Sequence, residues 1–318
     1  MPRIGTTVRA WPGPDPGWRD PALGELHEVE LPAGPVRYHD AGSGPVIVFV
    51  HGYLVNANIW RKLVPLLADR YRCITPDWPL GSHPVPVRRD ADLSPPGIAG
   101  MVADLLEALD LDDVTLLGND PGGAYSQLVA ADHPERLGRL VLNSCETPAC
   151  TWPPTPGGFG LLKATARHPA TYRALYQVLR IRRTWRWRNT YGWLAKRPID
   201  HAAMESYLRP VLTRTEIRHD GRQAIGSVSE RFTRDAATRI ESGFGKPVLF
   251  LWAAEDHVFP LTHAEEYAAR LGAPLRTITD SYTYTAEDQP QQTAALLDEW
   301  LQERLAGPAG ARQPPRAG

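Results

Sequence analysis

The sequence is poor in cysteine and in long hydrophobic runs, and each shortage excludes a class of protein. Only three of its 318 residues are cysteine, too few for a disulfide framework and without the spacing of a zinc site. We therefore expect free thiols and a reducing, cytoplasmic location. No apolar run approaches the roughly 20 residues that a membrane helix needs. The N-terminus lacks the apolar core of a signal peptide, so we expect no membrane partner.

An excess of charge of one sign is also lacking. Lys and Arg number 35 and Asp and Glu number 36, which gives a formal net charge of −1, so we expect no nucleic-acid partner. Residues 151–199 depart from this balance, because they hold basic side chains and no acidic one. A solvated surface accounts for this stretch, and the alternative is a lid that attracts an anionic small-molecule substrate. The basic residues are Lys163, Arg167, Arg173, Arg180, Arg182, Arg183, Arg186, Arg188, Lys196 and Arg197.

Signals for a bound group are missing as well. The sequence has no dinucleotide fingerprint, no phosphate-binding loop and no cluster of metal ligands. We therefore expect no cofactor and no metal, and nothing in the sequence indicates an oligomeric state.

What the sequence does contain is an alternation of strands and helices. This alternation predicts an α/β protein with a mostly parallel central sheet flanked by helices. Strands are expected at 26–31, 36–40, 46–50, 71–75, 114–117, 139–143, 247–252 and 275–279, the first two as a hairpin, and helices at 101–110, 123–133 and 291–304.

One long segment interrupts the alternation. Residues 147–243 hold no strongly apolar strand and are helical and punctuated by proline, so we predict an inserted helical cap. The core is then expected at 25–146 and 244–304. Residues 1–24 are predicted to be a loose arm and 305–318 a disordered tail, on composition alone.

The segment GNDPGG at 118–123 carries the clearest chemical signal. It follows an apolar strand and precedes a helix, as a nucleophile elbow does, and small residues permit so tight a turn. Asp120 occupies its centre, at a helix N-terminus that favours an anion. A carboxylate there can attack an alkyl carbon and form an ester. The alternative is a glycine turn in which the aspartate only caps the helix.

Two further segments, each at the end of a predicted strand, support the interpretation of 118–123 as a nucleophile elbow. The strand at 46–50 ends in His51-Gly52-Tyr53, whose backbone N–H groups can face the nucleophile, and the strand at 247–252 is followed by Asp256. With the segment DWPLGSHP at 77–84, the chain resembles the α/β-hydrolase fold, in its epoxide hydrolase and haloalkane dehalogenase branch, over nearly all of 26–304.

The resemblance implies a reaction in two halves. Asp120 displaces a leaving group, and a histidine oriented by an acid then activates water to cleave the ester. Asp256 is expected to be that acid, and Glu146 stands where some dehalogenases place theirs. The residues expected to contact the substrate are His51, Gly52, Tyr53, Asn119, Pro121 and the cap tyrosines Tyr172 and Tyr176. A cap tyrosine would protonate a leaving oxygen, and the candidates are Tyr172, Tyr176, Tyr191 and Tyr207.

The sequence departs from the family pattern at two positions. Thr283 stands where the histidine is expected, and threonine is not a general base near neutral pH. Pro121 follows the nucleophile and has no backbone N–H, whereas the residue at this position normally donates one to the oxyanion. In dehalogenases this position also holds a tryptophan that binds the halide, and that tryptophan is absent here. The missing histidine and the missing N–H would both act in the second half of the reaction, the breakdown of the ester. His257, next to Asp256, is a candidate substitute base.

Three functions stay open on this basis. The first is an enzyme that acts on an epoxide, a halide or a related electrophile through Asp120. The second is a lyase, isomerase or cyclase in which Asp120 is a base or stabilises charge. The third is a non-catalytic binding protein that retains the fold.

Overall fold

A single sheet organises the chain in the computed structural model, which describes residues 9–10, 17–154 and 160–305. Its nine strands in this described part have the order β1-β2-β3-β5-β4-β6-β7-β8-β9. They are β1 (Arg9–Ala10), β2 (Glu25–Leu31), β3 (Gly34–Ala41), β4 (Val46–Val50), β5 (Arg72–Pro76), β6 (Val114–Asp120), β7 (Leu137–Cys145), β8 (Val248–Ala253) and β9 (Leu275–Ile278).

The sheet is mostly parallel, as the sequence predicts. β5, β4, β6, β7, β8 and β9 run parallel to one another, and the antiparallel pairs are β1–β2, β2–β3 and β3–β5. Every residue of β6 and of β8 is buried. Strands covered by helices on both faces need apolar side chains at successive positions, which explains their continuous apolar runs.

Helices fill the connections between the strands. They are α1 (Val64–Leu67), α2 (Pro95–Ala108), α3 (Pro121–Asp132), α4 (Gly160–Thr165), α5 (Pro169–Gln177), α6 (His201–Thr213), α7 (Thr215–Ser227), α8 (Glu230–Gly243), α9 (Leu261–Leu271), α10 (Thr285–Asp288) and α11 (Pro290–Leu305). None of the helices in the described ranges is both long and apolar enough to cross a membrane.

The predicted cap contains one helix that belongs elsewhere. α4 to α7 follow β7 and contact one another, whereas α8 packs along α3 in the layer beside the sheet. The boundary expected at residue 243 is therefore corrected to the turn before α8. The amphipathic pattern of a helix shows which of its faces is buried, but it does not show which neighbouring element covers that face.

Part of the predicted loose arm is fixed to the core. β1 pairs with β2, and the buried Arg19 guanidinium lies 3.0 Å from the buried Asp77 carboxylate. Asp77 also accepts the Ala57 N–H over 2.9 Å. Residues 1–8 and 11–16 of the arm lie outside the described residues. So does the predicted tail beyond Leu305, the last residue of α11.

Candidate active site

Asp120 sits on a sharp, strained turn between β6 and α3. Its φ of 55° and ψ of −144° are unusual for a residue with a side chain, and α3 begins directly after it with Pro121. The turn requires small neighbours, because a methyl group on Gly122 would lie 2.0 Å from the Val50 carbonyl oxygen. The GNDPGG segment thus forms the tight strand-to-helix turn that its sequence predicts.

The Asp120 carboxylate is buried among few polar groups. Tyr53 donates its backbone N–H to it, and the Tyr284 hydroxyl oxygen lies 3.4 Å from Oδ2, at the outer limit of a hydrogen bond. Burial above all, and then the charge of Asp256, raises the pKa of Asp120 to about 8 against the two hydrogen bonds. Near neutral pH the carboxyl group therefore exists in both protonation states.

Asp256 lies beyond the end of β8 and contacts the threonine that replaces the expected histidine. Its Oδ1 accepts the N–H groups of Val258 and Phe259 over 2.8 and 2.9 Å and the hydroxyl of Thr283 over 2.9 Å. Its Oδ2 is buried without a hydrogen-bond partner in the described part of the chain. Burial raises the pKa of Asp256 to about 6, and the hydrogen bonds oppose that change.

Glu146 directly follows β7 and is 1% exposed. Neither of its carboxylate oxygens has a hydrogen-bond partner among the described residues. Its backbone oxygen accepts from Gln127 Nε2 over 2.7 Å. Burial, and next the charge of Asp120, raises the pKa of Glu146 well above its usual range, against a contact with its own backbone N–H. Burial thus favours the neutral, protonated form of this group.

Asp120 and Glu146 line one cavity of about 400 Å³ between the carboxyl ends of the strands and helices α4, α5 and α7. None of the described residues lining it is histidine, lysine or arginine, and no group of acidic, histidine or cysteine side chains in the described ranges could hold a metal ion. Cavities of this size and character accept mostly apolar small molecules. The other lining residues are Tyr53, Leu54, Pro121, Trp152, Pro153, Pro154, Leu161, Leu162, Ala174, Leu175, Tyr176, Val178, Leu179, Trp187, Asn189, Thr190, Tyr191, Leu194, Ile225 and Val258.

Two of the predicted site histidines lie elsewhere. His51 is buried below the site, where Nδ1 donates to the Gly52 carbonyl and Nε2 accepts the Trp78 N–H, each over 2.9 Å. Burial lowers the pKa of His51 to about 4, so it is neutral and both ring nitrogens are occupied. His257 is exposed, with its ring against Trp193 and Tyr282. The structure therefore assigns neither histidine a role as a substrate contact or a base.

Gly52 and Asn119 shape the site from outside the cavity. A methyl group on Gly52 would lie 2.3 Å from Asp120 Oδ2, so the glycine allows its loop to approach the carboxylate. The Asn119 amide donates to the carbonyl groups of Asn143 and Thr283, each over 2.8 Å. Asn119 thus joins β6 to β7 and to the segment after β9, and the expectation that it contacts the substrate is corrected.

The predicted tyrosines form a hydroxyl cluster. Tyr53 donates to the Gly221 carbonyl over 3.1 Å, and its oxygen contacts the hydroxyls of Tyr172 and, over 3.1 Å, Tyr176. Since Tyr53 has one proton and gives it to Gly221, both other hydroxyls donate to Tyr53. Tyr53 and Tyr176 line the cavity, whereas Tyr172 lies behind it, so its expected substrate contact is corrected.

One site tyrosine, Tyr284, was not singled out from the sequence. It lies against Asp120 and directly follows Thr283, so its place next to the expected base position was the signal that could have found it. Tyr191, one of the predicted cap tyrosines, lines the cavity and donates to the Leu54 carbonyl over 2.7 Å. The basic residues of 151–199 do not line the cavity, and most of them are exposed on the cap.

Comparisons with known proteins show the fold family of the chain. A family model described as alpha/beta hydrolase fold matches residues 45–288. Haloalkane dehalogenase 2 of Mycobacterium tuberculosis is 25% identical over 277 residues, which cover 84% of this chain and 91% of that protein. An uncharacterized protein of the same organism is 36% identical over 104 residues, and the match spans only 30% of its length.

Solved structures share the fold at low identity. Haloalkane dehalogenase DbeA from Bradyrhizobium elkani superposes with a TM-score of 0.73 at 21% identity, over 88% of this chain and 98% of that one. Epoxide hydrolase CorEH superposes with a TM-score of 0.71 at 18% identity, over 88% and 99%.

Proposed function

The chain belongs to the alpha/beta hydrolase fold family, and from that premise we propose an enzyme whose Asp120 carboxylate attacks an electrophilic carbon. The product of this first step is an ester between Asp120 and the substrate. The substrate is a mostly apolar epoxide, or a related electrophile, that fits a cavity of about 400 Å³. The enzyme is expected to work in the cytoplasm.

The observation that carries this proposal is the position of the Asp120 carboxylate. It stands on a strained turn at the edge of an apolar cavity, buried, with only weak hydrogen-bond support. A carboxylate with few hydrogen bonds and a pKa near 8 is more basic, and hence more nucleophilic, than one in water.

An epoxide suits the site better than a halide. Pro121 lines the cavity without an N–H or an indole to bind a departing halide. In an epoxide the departing oxygen stays attached and needs a proton instead. Ester breakdown has no imidazole in the described lining and must depend on another group.

Intact-protein mass spectrometry tests the proposal. The protein is incubated with styrene oxide and with bromohexane, beside Asp120→Asn and the control Asp235→Asn, which alters an exposed carboxylate on α8. We expect the native chain and the control to gain the mass of the probe, or to form product, and Asp120→Asn to do neither. If the native chain forms neither adduct nor product, the proposal is contradicted and a binding role remains.

One observation favours a second function. A pKa near 8 also suits an Asp120 that removes a proton, as a lyase, isomerase or cyclase requires. Turnover that depends on Asp120 but never yields an adduct, even in rapid-quench samples, would support this function over the first.

A further inference from the structure

We propose that Glu146 is the proton carrier of this site, which protonates the oxygen released when Asp120 opens an epoxide. The inference rests on the proposed function, since it assigns a partner to the Asp120 nucleophile. It also gives Glu146 a different task from the orienting of a histidine.

The first support is position. Asp120 is paired in register with Cys145 across the parallel strands β6 and β7, so Glu146 is the next residue beyond the neighbour of the nucleophile. Adjacent strands lie about 4.8 Å apart, so the two residues are at neighbouring strand ends. Both line the same cavity.

The second support is the lack of any other use for the side chain. Glu146 is 1% exposed, and both of its oxygens are without a hydrogen-bond partner in the described residues. A buried carboxylate with no partner is strongly destabilising. The neutral acid is the form that this environment favours, and it holds a proton that no other described group of the protein accepts.

The third support is that the tyrosine hydroxyl groups near the cavity already have hydrogen-bond partners in the protein. Tyr53 donates to the Gly221 carbonyl, and Tyr176 donates to Tyr53. Tyr191 donates to the Leu54 carbonyl, and the Tyr284 hydroxyl faces Asp120 itself. Among the described groups, Glu146 is the acid of this cavity whose proton is not already given to the protein.

The first step balances with one proton. An Asp120 oxygen bonds to a ring carbon while the carbon–oxygen bond of the epoxide breaks. The released oxygen takes the proton of Glu146. The products are a hydroxyalkyl ester at Asp120 and a carboxylate at Glu146.

The second step returns the proton. The Glu146 carboxylate takes a proton from water, whose oxygen attacks the ester carbon of Asp120. Collapse of that intermediate expels the alkoxide, which takes the proton from Glu146 and leaves as part of a diol. The proton now on Asp120 passes to Glu146, which restores the Asp120 carboxylate and the Glu146 acid of the first step.

The test compares two leaving groups in single-turnover experiments on the full chain. Bromide needs no proton, whereas the epoxide oxygen does. We expect Glu146→Gln to slow the reaction with styrene oxide by about 10²–10⁴-fold and to leave the reaction with bromohexane within about threefold of native. Glu265→Gln, which alters an exposed acid on α9, is the matched control.

The outcomes separate the two proposals. Equal slowing with both probes would show that Glu146 only supports the shape of the site, and no slowing would show that it has no role; either result overturns the inference. An absence of reaction in the native chain would instead refute the proposed function. A pH profile adds a second readout, because the alkaline loss of epoxide reaction in the native chain is expected to vanish in Glu146→Gln, with partial rescue by Glu146→Asp.

Discussion

The Thr283 hydroxyl donates to Asp256 over 2.9 Å, so a side chain that cannot act as a base is held by the acid that follows β8. The carboxylate is in place to orient a partner, and its Oδ2 is buried without one in the described structure. The site thus resembles a hydrolytic site whose histidine is absent, and this relationship can be tested by introducing a histidine.

Thr283→His is expected to speed the release of an Asp120 ester by about 10²–10⁴-fold, because an imidazole held by Asp256 can activate water. The measurement is the rate at which the styrene oxide adduct disappears from the intact mass spectrum. Thr283→Val, which removes the hydroxyl and adds no base, is the control. Release as slow as in Thr283→Val would show that Thr283 is misplaced as the site of the missing base.

Pro121→Ser is expected to add to that gain. Serine restores a backbone N–H at the first residue of α3, where it can stabilise the oxyanion, and one such donor is worth about 10²–10³ in rate. The double variant with Thr283→His should release adduct faster than the single one. An identical rate in folded protein would argue that this N–H does not face the ester.

Asp256→Asn is expected to shift the pH dependence of adduct formation downward. The Asp256 charge helps raise the pKa of Asp120 to about 8, and its removal lets Asp120 ionise at lower pH. Asparagine can still accept the backbone and threonine hydrogen bonds of Oδ1. The rate with bromohexane, measured from pH 5 to pH 10, should rise at lower pH than in native protein, whereas Asp235→Asn should leave the profile in place.

The buried acids also make a prediction about stability. Their pKa values are higher in the folded chain than the unfolded values near 4, about 8 for Asp120 and about 6 for Asp256. The folded state therefore keeps protons that the unfolded state has lost. The stabilisation of the folded state by these protons is fully present below about pH 4, and it is lost as the pH rises through the folded-state pKa values.

Urea unfolding at several pH values checks this sign. The free energy of unfolding of the native chain should fall between pH 5 and pH 8, by an amount on the order of a few kcal/mol. Asp120→Asn and Glu146→Gln should flatten that fall and be more stable than native at pH 8. Parallel curves for native and variant chains would contradict the burial of these charges.

The sequence predicted the parts of this molecule that depend on short-range pattern. Apolar runs located the buried strands, and the small residues around Asp120 were sufficient to predict the turn. The errors concern long-range contacts. His51 follows a strand that leads to the site, but its ring accepts from the Trp78 N–H, 27 residues away. No local pattern shows that an Asn119 amide will span to the Thr283 carbonyl, or that the α8 helix will pack on α3.

Tyr53 serves two parts of the molecule at once. Its N–H holds the Asp120 carboxylate, and its hydroxyl gathers Tyr172, Tyr176 and the Gly221 carbonyl from the cap. Any displacement of α5 or α7 from the sheet would therefore pull on the residue whose N–H holds the nucleophile. The position of these two helices and the aim of the carboxylate are mechanically linked through one residue.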